Sequence, residues 1–180
     1  MKEPIDTLFD IIKVILIALL IVIPVRYFLF QPFVVNGQSM EPNYSNGDYL
    51  IVDEISYRFK DPVRGDVIVF RYPQNPSLRH IKRVIGLPNE TIRINDNGVE
   101  IISEGNSIRL DENSYLPFTF MGETMEISLG DDEFFVMGDN RQLSFDSRRW
   151  GALSREYILG KVLIRVASFN KAEVIGAPIY

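Results

Sequence analysis

The chain has 180 residues, 46% of them hydrophobic and 24% charged, which excludes global disorder and allows one domain of ordinary size plus an appendage. Its net charge of -5 opposes nucleic-acid binding, which usually needs a basic surface. The absence of cysteine excludes disulfides, thiolate catalysis and cysteine zinc sites. His80 is the one histidine, so any catalytic triad or histidine metal site would have to include it.

The first predicted element is an apolar helix at the N-terminus. Residues 14–25 carry no charge, and the stretch from Ile11 to Phe30 is long enough to cross a ~30 Å hydrocarbon core. A cleaved signal peptide is disfavoured because bulky residues follow the apolar stretch, and an in-plane helix because no polar face interrupts it. A buried core helix is the remaining alternative, since the charge-free stretch alone is short. We predict one uncleaved transmembrane helix.

Basic residues near its ends predict how this helix is oriented. Lys2, Lys13 and the α-amino group lie on one side, and after Arg26 no lysine or arginine occurs until Arg58. The positive-inside rule then places the N-terminus in the cytoplasm and the remainder of the chain outside the cell membrane. We therefore expect a cytoplasmic N-terminus and a single-pass anchor in residues 1–30, and an extracytoplasmic domain in residues 31–180.

The chain beyond residue 31 predicts β structure. Short apolar runs rich in β-branched and aromatic residues alternate with turn-forming clusters, of which Asp96-Asn97-Gly98 is a good hairpin signal. The predicted strands are 49–53, 66–70, 80–85, 91–95, 133–137 and 161–168. The predicted fold class is mainly β, an antiparallel, coiled sheet or barrel-like domain preceded by the one transmembrane helix. Residues 99–130 differ in composition and predict a variable insertion or a looser hairpin.

One serine stands out by its setting. Ser39 lies in the turn-forming stretch Asn36–Pro42, shortly after the predicted anchor. A serine on a sharp turn can project its hydroxyl while nearby backbone N–H groups point at an oxyanion, so Ser39 is a candidate nucleophile. The alternative for such a serine is an ordinary turn residue.

A nucleophilic serine needs a base, and Lys82 is the candidate. It lies in a predicted strand, where it shares a face with His80. A free lysine, with a pKa of ~10.4, must fall to roughly 7–8 to act as a base near neutral pH, and burial among apolar side chains is the available means. The alternative is that Lys82 and Arg83 form a solvated pair that protects a strand edge.

A polar loop follows the predicted strand 133–137. It contains Ser144, Asp146 and Arg148 within a short stretch. The Ser144 hydroxyl could hold a neutral lysine by hydrogen bonding, and Asp146 with Arg148 could brace the loop. The alternative is a surface loop whose ion pairs contribute little to stability.

The combination and order of these motifs resemble those of bacterial type I signal peptidases. The matching segments after the anchor are Ser39-Met40-x-Pro42, Arg64-Gly65-Asp66-Val67-Ile68-Val69-Phe70, Lys82-Arg83-Val84-Ile85-Gly86-Leu87-Pro88, Met137-Gly138-Asp139-Asn140-Arg141 and Ser144-x-Asp146-Ser147-Arg148. The resemblance covers residues 8–166 apart from the region 99–130. The last two segments form one motif, and four ordered motifs behind an anchor form a specific pattern.

The resemblance implies a membrane-anchored serine endopeptidase with a Ser/Lys dyad. Ser39 would attack the scissile carbonyl, and Lys82 would take its proton and later protonate the leaving amine. Ser144 would orient the Lys82 amine, while Asp146 and Arg148 would support the site. The family folds as an antiparallel β core with its active face near the membrane surface.

The same resemblance implies the substrate and the partners. The family removes signal peptides from exported preproteins and prefers small residues at positions -1 and -3, so Val35, Met40 and Ile81 would line the pockets that receive them. The expected partners are preprotein signal peptides, the lipid bilayer and the secretion translocon, and no nucleic acid. No metal or organic cofactor is implied.

Three departures from the family pattern concern the surroundings of the dyad. Asn43 stands where the family often has threonine, and Asn89-Glu90 replaces the commoner Gly-Asp. Gly37 occupies a position where some members place an oxyanion-hole serine. The oxyanion hole would then depend more on the Ser39 backbone N–H, and the sequence does not identify its second hydrogen-bond donor.

Two other functions compete with this one. A self-cleaving Ser/Lys peptidase of the repressor type is opposed by the apolar N-terminus and the acidic net charge, because such proteins carry a DNA-binding domain. A catalytically inactive, membrane-tethered β module that binds partners is opposed by the presence of both Ser39 and Lys82. His80 shares a strand face with Lys82 and is expected to be a pocket or edge residue rather than the base.

Overall fold

The computed structural model describes residues 4–28, 30–116, 124–168, 171–174 and 178. Within these ranges the chain forms one long helix, one short helix and two antiparallel sheets, which confirms the mainly β class. The helices are α1 (Pro4–Phe28) and α2 (Ser147–Trp150). The strands are β1 (Phe30–Val34), β2 (Tyr49–Asp53), β3 (Val67–Tyr72), β4 (Asn75–Gly86), β5 (Thr91–Asn95), β6 (Gly98–Ser103), β7 (Asn106–Arg109), β8 (Met125–Ser128), β9 (Glu133–Met137), β10 (Leu153–Ser154), β11 (Ile158–Ser168) and β12 (Lys171–Val174).

The N-terminal apolar segment is helical, as predicted, although α1 begins at Pro4 rather than at Ile11. Proline suits the first turn of a helix because its missing N–H would have no intrahelical partner there. The described side chains of α1, residues 8–20, are all exposed. Among the residues that the structure describes, no helix is long and apolar enough to cross a membrane. The transmembrane role of α1 therefore stays a prediction.

The larger sheet carries the predicted nucleophile and base. Among the described residues its order is β1-β2-β11-β3-β4-β9-β10, with β12 paired to β11. β3 and β4 lie near its centre, and their register sets Ile68 opposite Lys82. The long strand β4 is exposed over most of its first half and buried from Ile81 to Gly86. Lys82 therefore lies within the sheet, with a strand on either side.

Side chains of β3 divide the core, because they alternate between the two faces of the sheet. Val67 and Val69 join one buried cluster, whereas Ile68 and Phe70 join another. β9 alternates in the same way, and Phe135 belongs to a third cluster, which fills the space against the smaller sheet. Both faces of the central strands are thus covered, and Lys82 is only 4% exposed.

The smaller sheet has the order β7-β6-β5-β8 and contains most of the described part of the region 99–130. β5 and β6 form the hairpin that Asp96-Asn97-Gly98 predicts, with Asn95 paired to Gly98. Gly98 has a φ of 116°, a conformation that favours glycine. Residues 117–123 of this region lie outside the described ranges.

The barrel-like part of the predicted fold is wrong. Within the described residues, β1 and β10 are the two ends of the larger sheet and do not pair with each other, so the sheet stays open. Closure requires a consistent strand tilt and stagger around a full circuit. Apolar alternation and turn signals locate strands but carry no information on this stagger. Register shifts in the pairings of β11 and β4 bend the sheet without closing it.

We predict that Gly160→Ala destabilises the protein by about 1–3 kcal/mol, because the added methyl overpacks the contact between β11 and β2. Its Cβ would lie 2.5 Å from the Asp53 carbonyl oxygen and 2.8 Å from Val52 Cγ1, and backbone cannot move aside cheaply. Gly130→Ala is the matched control, since its Cβ would meet nothing closer than 3.4 Å. Urea unfolding measures both variants, and equal midpoints for the two would contradict the prediction.

Candidate active site

Ser39 lies in the turn that joins β1 to β2. Gly37 opens this turn with a φ of 99°, and its N–H donates to Asn46 Oδ1 at 2.9 Å. On the other side of Ser39, Met40 is fully buried, and its carbonyl accepts from the Tyr44 N–H at 2.9 Å. Because the buried side chains of Met40 and Tyr44 anchor the turn, Ser39 is held half-buried at a defined place.

Lys82 brings its amine to this serine from the sheet. Its side chain is buried, and Nζ donates to Ser39 Oγ at 2.7 Å and to the Ile81 carbonyl at 2.8 Å. On its face of β3 and β4 it lies among apolar side chains that include Ile68 and Val84. The structure therefore brings together the two residues predicted as nucleophile and base, which lie 43 positions apart in the chain.

Burial changes the protonation of Lys82. Removing the amine from water lowers its pKa from the usual 10.5 to about 8; Arg148 acts in the same direction, and the charges of Asp146 and Asp139 partly oppose the shift. A neutral amine is therefore accessible near neutral pH, and in that form Nζ accepts a hydrogen bond from the Ser39 hydroxyl. Such an amine can remove the hydroxyl proton as the oxygen attacks an electrophile.

An ion pair is buried beside the dyad. Arg83 donates to Asp139 through Nε at 2.8 Å and Nη2 at 2.6 Å, and both side chains are almost fully buried. Asn43, the residue that departs from the family's threonine, also donates to Asp139 Oδ2 at 2.8 Å.

The interpretation of Lys82 and Arg83 as a solvated edge pair is wrong. Consecutive strand residues point to opposite faces, which separates the Lys82 amine from the Arg83 guanidinium.

The loop between β9 and α2 is held by Asp146. Its carboxylate accepts from the Gly138 N–H at 2.9 Å and from Arg148 Nε at 2.8 Å, and it caps α2 through the Arg148 N–H. Burial alone would raise the pKa of Asp146, but the hydrogen bonds and charge of Arg148, aided by Ser144, hold it below its usual value. Arg148 also donates to the Arg141 carbonyl at 2.7 Å. Two side chains thus fix the course of the loop.

Gly138 lets this loop approach the Ser39 turn. A Cβ at Gly138 would lie 2.2 Å from Ser144 Oγ and 2.3 Å from the Ser39 carbonyl oxygen, so there is no room for any side chain. The Asn140 N–H donates to the same carbonyl at 3.0 Å. The buried Ser144 hydroxyl lies close enough to Asp146 to lower its pKa, yet it meets no partner at hydrogen-bonding geometry among the described residues.

The predicted pocket residues lie together next to the Ser39 turn. Val35, Met40 and Ile81 belong to one buried cluster and are 2%, 0% and 4% exposed. All three side chains are apolar, so the surface that they form beside the turn is apolar.

His80 lies in an aromatic group rather than against the serine. Its ring stacks on Tyr72 with centroids 5.0 Å apart, and Phe70 and Trp150 complete the group. Burial lowers the pKa of His80, and the charge of Lys82 lowers it further. The described part of the chain contains no group of histidine, aspartate and glutamate that could hold a metal ion.

Sequence reasoning missed several residues that surround the dyad. Glu112 contacts Arg141, and the ring of Tyr115 lies under Arg83, although region 99–130 showed no recognisable chemistry. Asn43 stands out in the sequence only as a departure from the family pattern. No spacing rule could find these contacts, because each joins segments that are far apart in the chain.

Residues 8–167 match the model of a protein family described as signal peptidase, peptidase S26. A probable signal peptidase I-2 from Synechocystis sp. is 34% identical over 169 residues, which cover 91% of this chain and 75% of that protein. Signal peptidase I P from Bacillus subtilis subsp. natto is 38% identical over 180 residues, which cover 97% of this chain and 89% of that protein. A crystal structure of a signal peptidase I from Enterococcus faecalis V583 is 29% identical, with a TM-score of 0.44, and covers 57% of this chain and 97% of that one.

We predict that the free energy of unfolding of Lys82→Met, measured relative to that of the wild type, is higher at pH 7 than at pH 10.5. The difference between the two pH values is up to about 3 kcal/mol. The folded pKa of about 8 lies below the usual 10.5, so between these values the unfolded wild type binds more protons than the folded one. Wild-type stability therefore rises with pH across this window, and the variant lacks that rise.

Urea unfolding at several pH values between 7 and 10.5 measures the difference. Lys60→Met, at an exposed site, controls for the loss of a lysine as such. A stability difference between Lys82→Met and wild type that is independent of pH would show that the amine is not buried.

Proposed function

Since the chain belongs to the signal peptidase family, peptidase S26, and is a serine peptidase, we propose that it removes N-terminal signal peptides from exported preproteins, with Ser39 as nucleophile and Lys82 as general base. The observation that carries this proposal is the 2.7 Å contact between the Ser39 hydroxyl and a buried amine whose pKa is lowered to about 8. A hydroxyl becomes a useful nucleophile only beside such a base.

The proposed reaction has two halves. Ser39 Oγ attacks the scissile carbonyl carbon while Lys82 Nζ takes the hydroxyl proton. The tetrahedral intermediate then loses its C–N bond as Lys82 gives that proton to the leaving amine, which frees the mature protein and leaves the signal peptide esterified to Ser39. In the second half, Lys82 takes a proton from a water molecule that attacks the ester, and returns it to Ser39 Oγ.

Negative charge on the carbonyl oxygen needs aligned donors during both halves. The Ser39 backbone N–H is the proposed first donor, and it makes no hydrogen bond to another described residue. The Gly37 N–H is already bonded to Asn46 Oδ1 at 2.9 Å, so it does not serve as the second donor while the turn keeps this conformation.

Ser144, Asp146 and Arg148 support the dyad in this proposal. The Ser144 hydroxyl is buried and lacks a hydrogen-bond partner among the described residues, so it is available to accept a bond from Lys82 Nζ and orient the amine toward Ser39. Asp146 and Arg148 hold the loop on which Ser144 lies.

Shallow apolar pockets would select the cleavage site. Val35, Met40 and Ile81 are buried in one cluster, so in this proposal only small side chains at positions -1 and -3 fit against them. A larger side chain would require these core residues to move, which costs about 1–3 kcal/mol in a well-packed cluster.

The helix α1 is the proposed membrane anchor. Its described side chains are exposed and apolar at most positions, which suits a lipid bilayer. We propose that residues 1–30 form the cytoplasmic N-terminus and the anchor, that residues 31–180 form the extracytoplasmic catalytic domain, and that the secretion translocon delivers the preproteins.

We predict that Ser39→Ala and Lys82→Met each lower kcat/KM on a preprotein ending its signal in Ala-x-Ala by at least about a thousand-fold. Mass spectrometry of the products locates the cut, which is expected after the second alanine. Ser45→Ala and Lys60→Met, both at exposed positions, are the matched controls and are expected to cleave like the wild type.

Wild-type kcat/KM is expected to rise with pH through about 8, since the base must be neutral to accept a proton.

Activity that survives Lys82→Met would identify a different base, and His80 would be the next residue to test. Folded wild-type protein that cleaves none of several such preproteins would favour the membrane-tethered binding module instead.

The proposed topology can be tested with single cysteines, because the chain has none of its own. We predict that Lys60→Cys in intact cells reacts with a membrane-impermeant maleimide, whereas Lys2→Cys reacts only after the cells are opened. The protein is also expected to stay in the membrane pellet after alkaline carbonate extraction. Labelling of Lys2→Cys in intact cells would reverse the orientation, and release by carbonate would remove the anchor.

A further inference from the structure

The turn at residues 112–116 lies against the residues that surround the dyad. It is closed by hydrogen bonds from the N–H groups of Tyr115 and Leu116 to the Glu112 carbonyl, at 3.2 and 2.9 Å. Tyr115 and Leu116 are buried, and the Tyr115 hydroxyl donates to the Glu112 carboxylate. The turn is therefore internally connected and packed, although it lies in the region 99–130.

Tyr115 contacts two of the three segments that carry the proposed chemistry. The centre of the Arg83 guanidinium lies 4.2 Å from the Tyr115 ring centroid, which is cation–π geometry, and Arg83 is the neighbour of Lys82. The Tyr115 carbonyl accepts from the Asn43 side chain at 2.8 Å, and Asn43 lies four residues after Ser39. The same Asn43 amide bonds Asp139, so it joins the turn to the buried ion pair.

Glu112 contacts the third segment. Its carboxylate forms two hydrogen bonds with Arg141, one of them at 2.9 Å, and both side chains are largely buried. Burial alone would lower the pKa of Arg141, but its bonds with Glu112 raise it. Arg141 also donates to the Gly138 carbonyl at 3.1 Å, which lies where the loop meets the Ser39 turn.

We propose that Glu112 and Tyr115 are positioning residues that hold the Ser39 turn, strand β4 and the loop 138–148 in the arrangement that catalysis requires. This inference rests on the proposed function and extends it to residues outside the family's ordered motifs. Both residues act through their contacts with Arg83, Arg141 and Asn43.

These contacts matter for the proposed site because the three segments are distant in the chain and are held together there by noncovalent contacts. Small displacements of reacting groups can lower a rate by about a hundred-fold. Contacts that join all three segments can therefore affect the rate more than their contribution to stability indicates. Removing the Glu112 charge deprives the buried Arg141 guanidinium of this carboxylate, which weakens the hold on the loop.

A looser loop would also admit water to the Lys82 amine. The charged groups that act on this amine are Asp146 and Asp139, which favour its protonation, and Arg148, which opposes it, while His80 lies on the same strand face. Partial rehydration moves the amine back toward the behaviour of an exposed lysine. The acid limb of the pH profile should then move to higher pH, which a purely structural role would not cause.

The experiment measures kcat, KM and the pH profile of Ala-x-Ala preprotein cleavage by the full chain carrying Glu112→Gln, Tyr115→Leu or Tyr115→Phe. For Glu112→Gln and Tyr115→Leu we expect kcat to fall about ten-fold or more with KM within about two-fold, and the acid limb to move upward. Tyr115→Phe keeps the ring over Arg83 and is expected to recover most of the kcat that Tyr115→Leu loses. Thermal unfolding confirms that each variant is folded at the assay temperature.

Glu126→Gln is the matched control, because it neutralises a glutamate that pairs with Arg93 on the exposed surface of the smaller sheet. It is expected to behave like the wild type. Folded Glu112→Gln and Tyr115→Leu with wild-type kcat and an unchanged pH profile would overturn the inference while Ser39→Ala still abolishes cleavage. A fall in kcat that only follows the folded fraction, with the acid limb unmoved, would also overturn it. A wild type without activity would refute the proposed function itself.

Discussion

Removing the Lys82 amine from water is the constraint on which the rest of the structure depends. A charged amine is costly in an apolar sheet, so burial favours its neutral form. The nearby carboxylates of Asp139 and Asp146 would restore the charge if either paired with the amine directly. Each is instead held by an arginine, Arg83 or Arg148. Because these charges are compensated within their own pairs, desolvation dominates at Lys82.

The same ion pairs explain how segments distant in the chain are held close to one another. Buried ion pairs contribute little net stability, since desolvation offsets their attraction, but breaking one leaves an unpaired charge in the core. That penalty opposes any separation of β4 from the loop 138–148. The absence of a side chain at Gly138 allows the loop to reach the Ser39 carbonyl, so close approach and charge pairing together define the geometry around the serine.

Local patterns predicted the elements but not always their partners. The hairpin at Asp96-Asn97-Gly98 was predictable because a two-residue turn is determined by its own residues. β1 is not among the predicted strands, because it begins where the predicted anchor ends, and only its pairing with β2 shows that this segment is a strand. The open sheet was unpredictable for a related reason: closure depends on the stagger between strands, which no single strand encodes.

By itself the sequence determined the class of the fold, the family and the pair Ser39 and Lys82 as candidates, because turn chemistry, strand periodicity and ordered motifs are local properties. Tertiary structure alone decided that the two side chains meet at 2.7 Å, that Asn43 bonds Asp139, and that Glu112 and Tyr115 adjoin the site. The physical reason is that burial and distance arise from residues remote in the chain. A lysine becomes a base only when side chains from several strands exclude water from its amine.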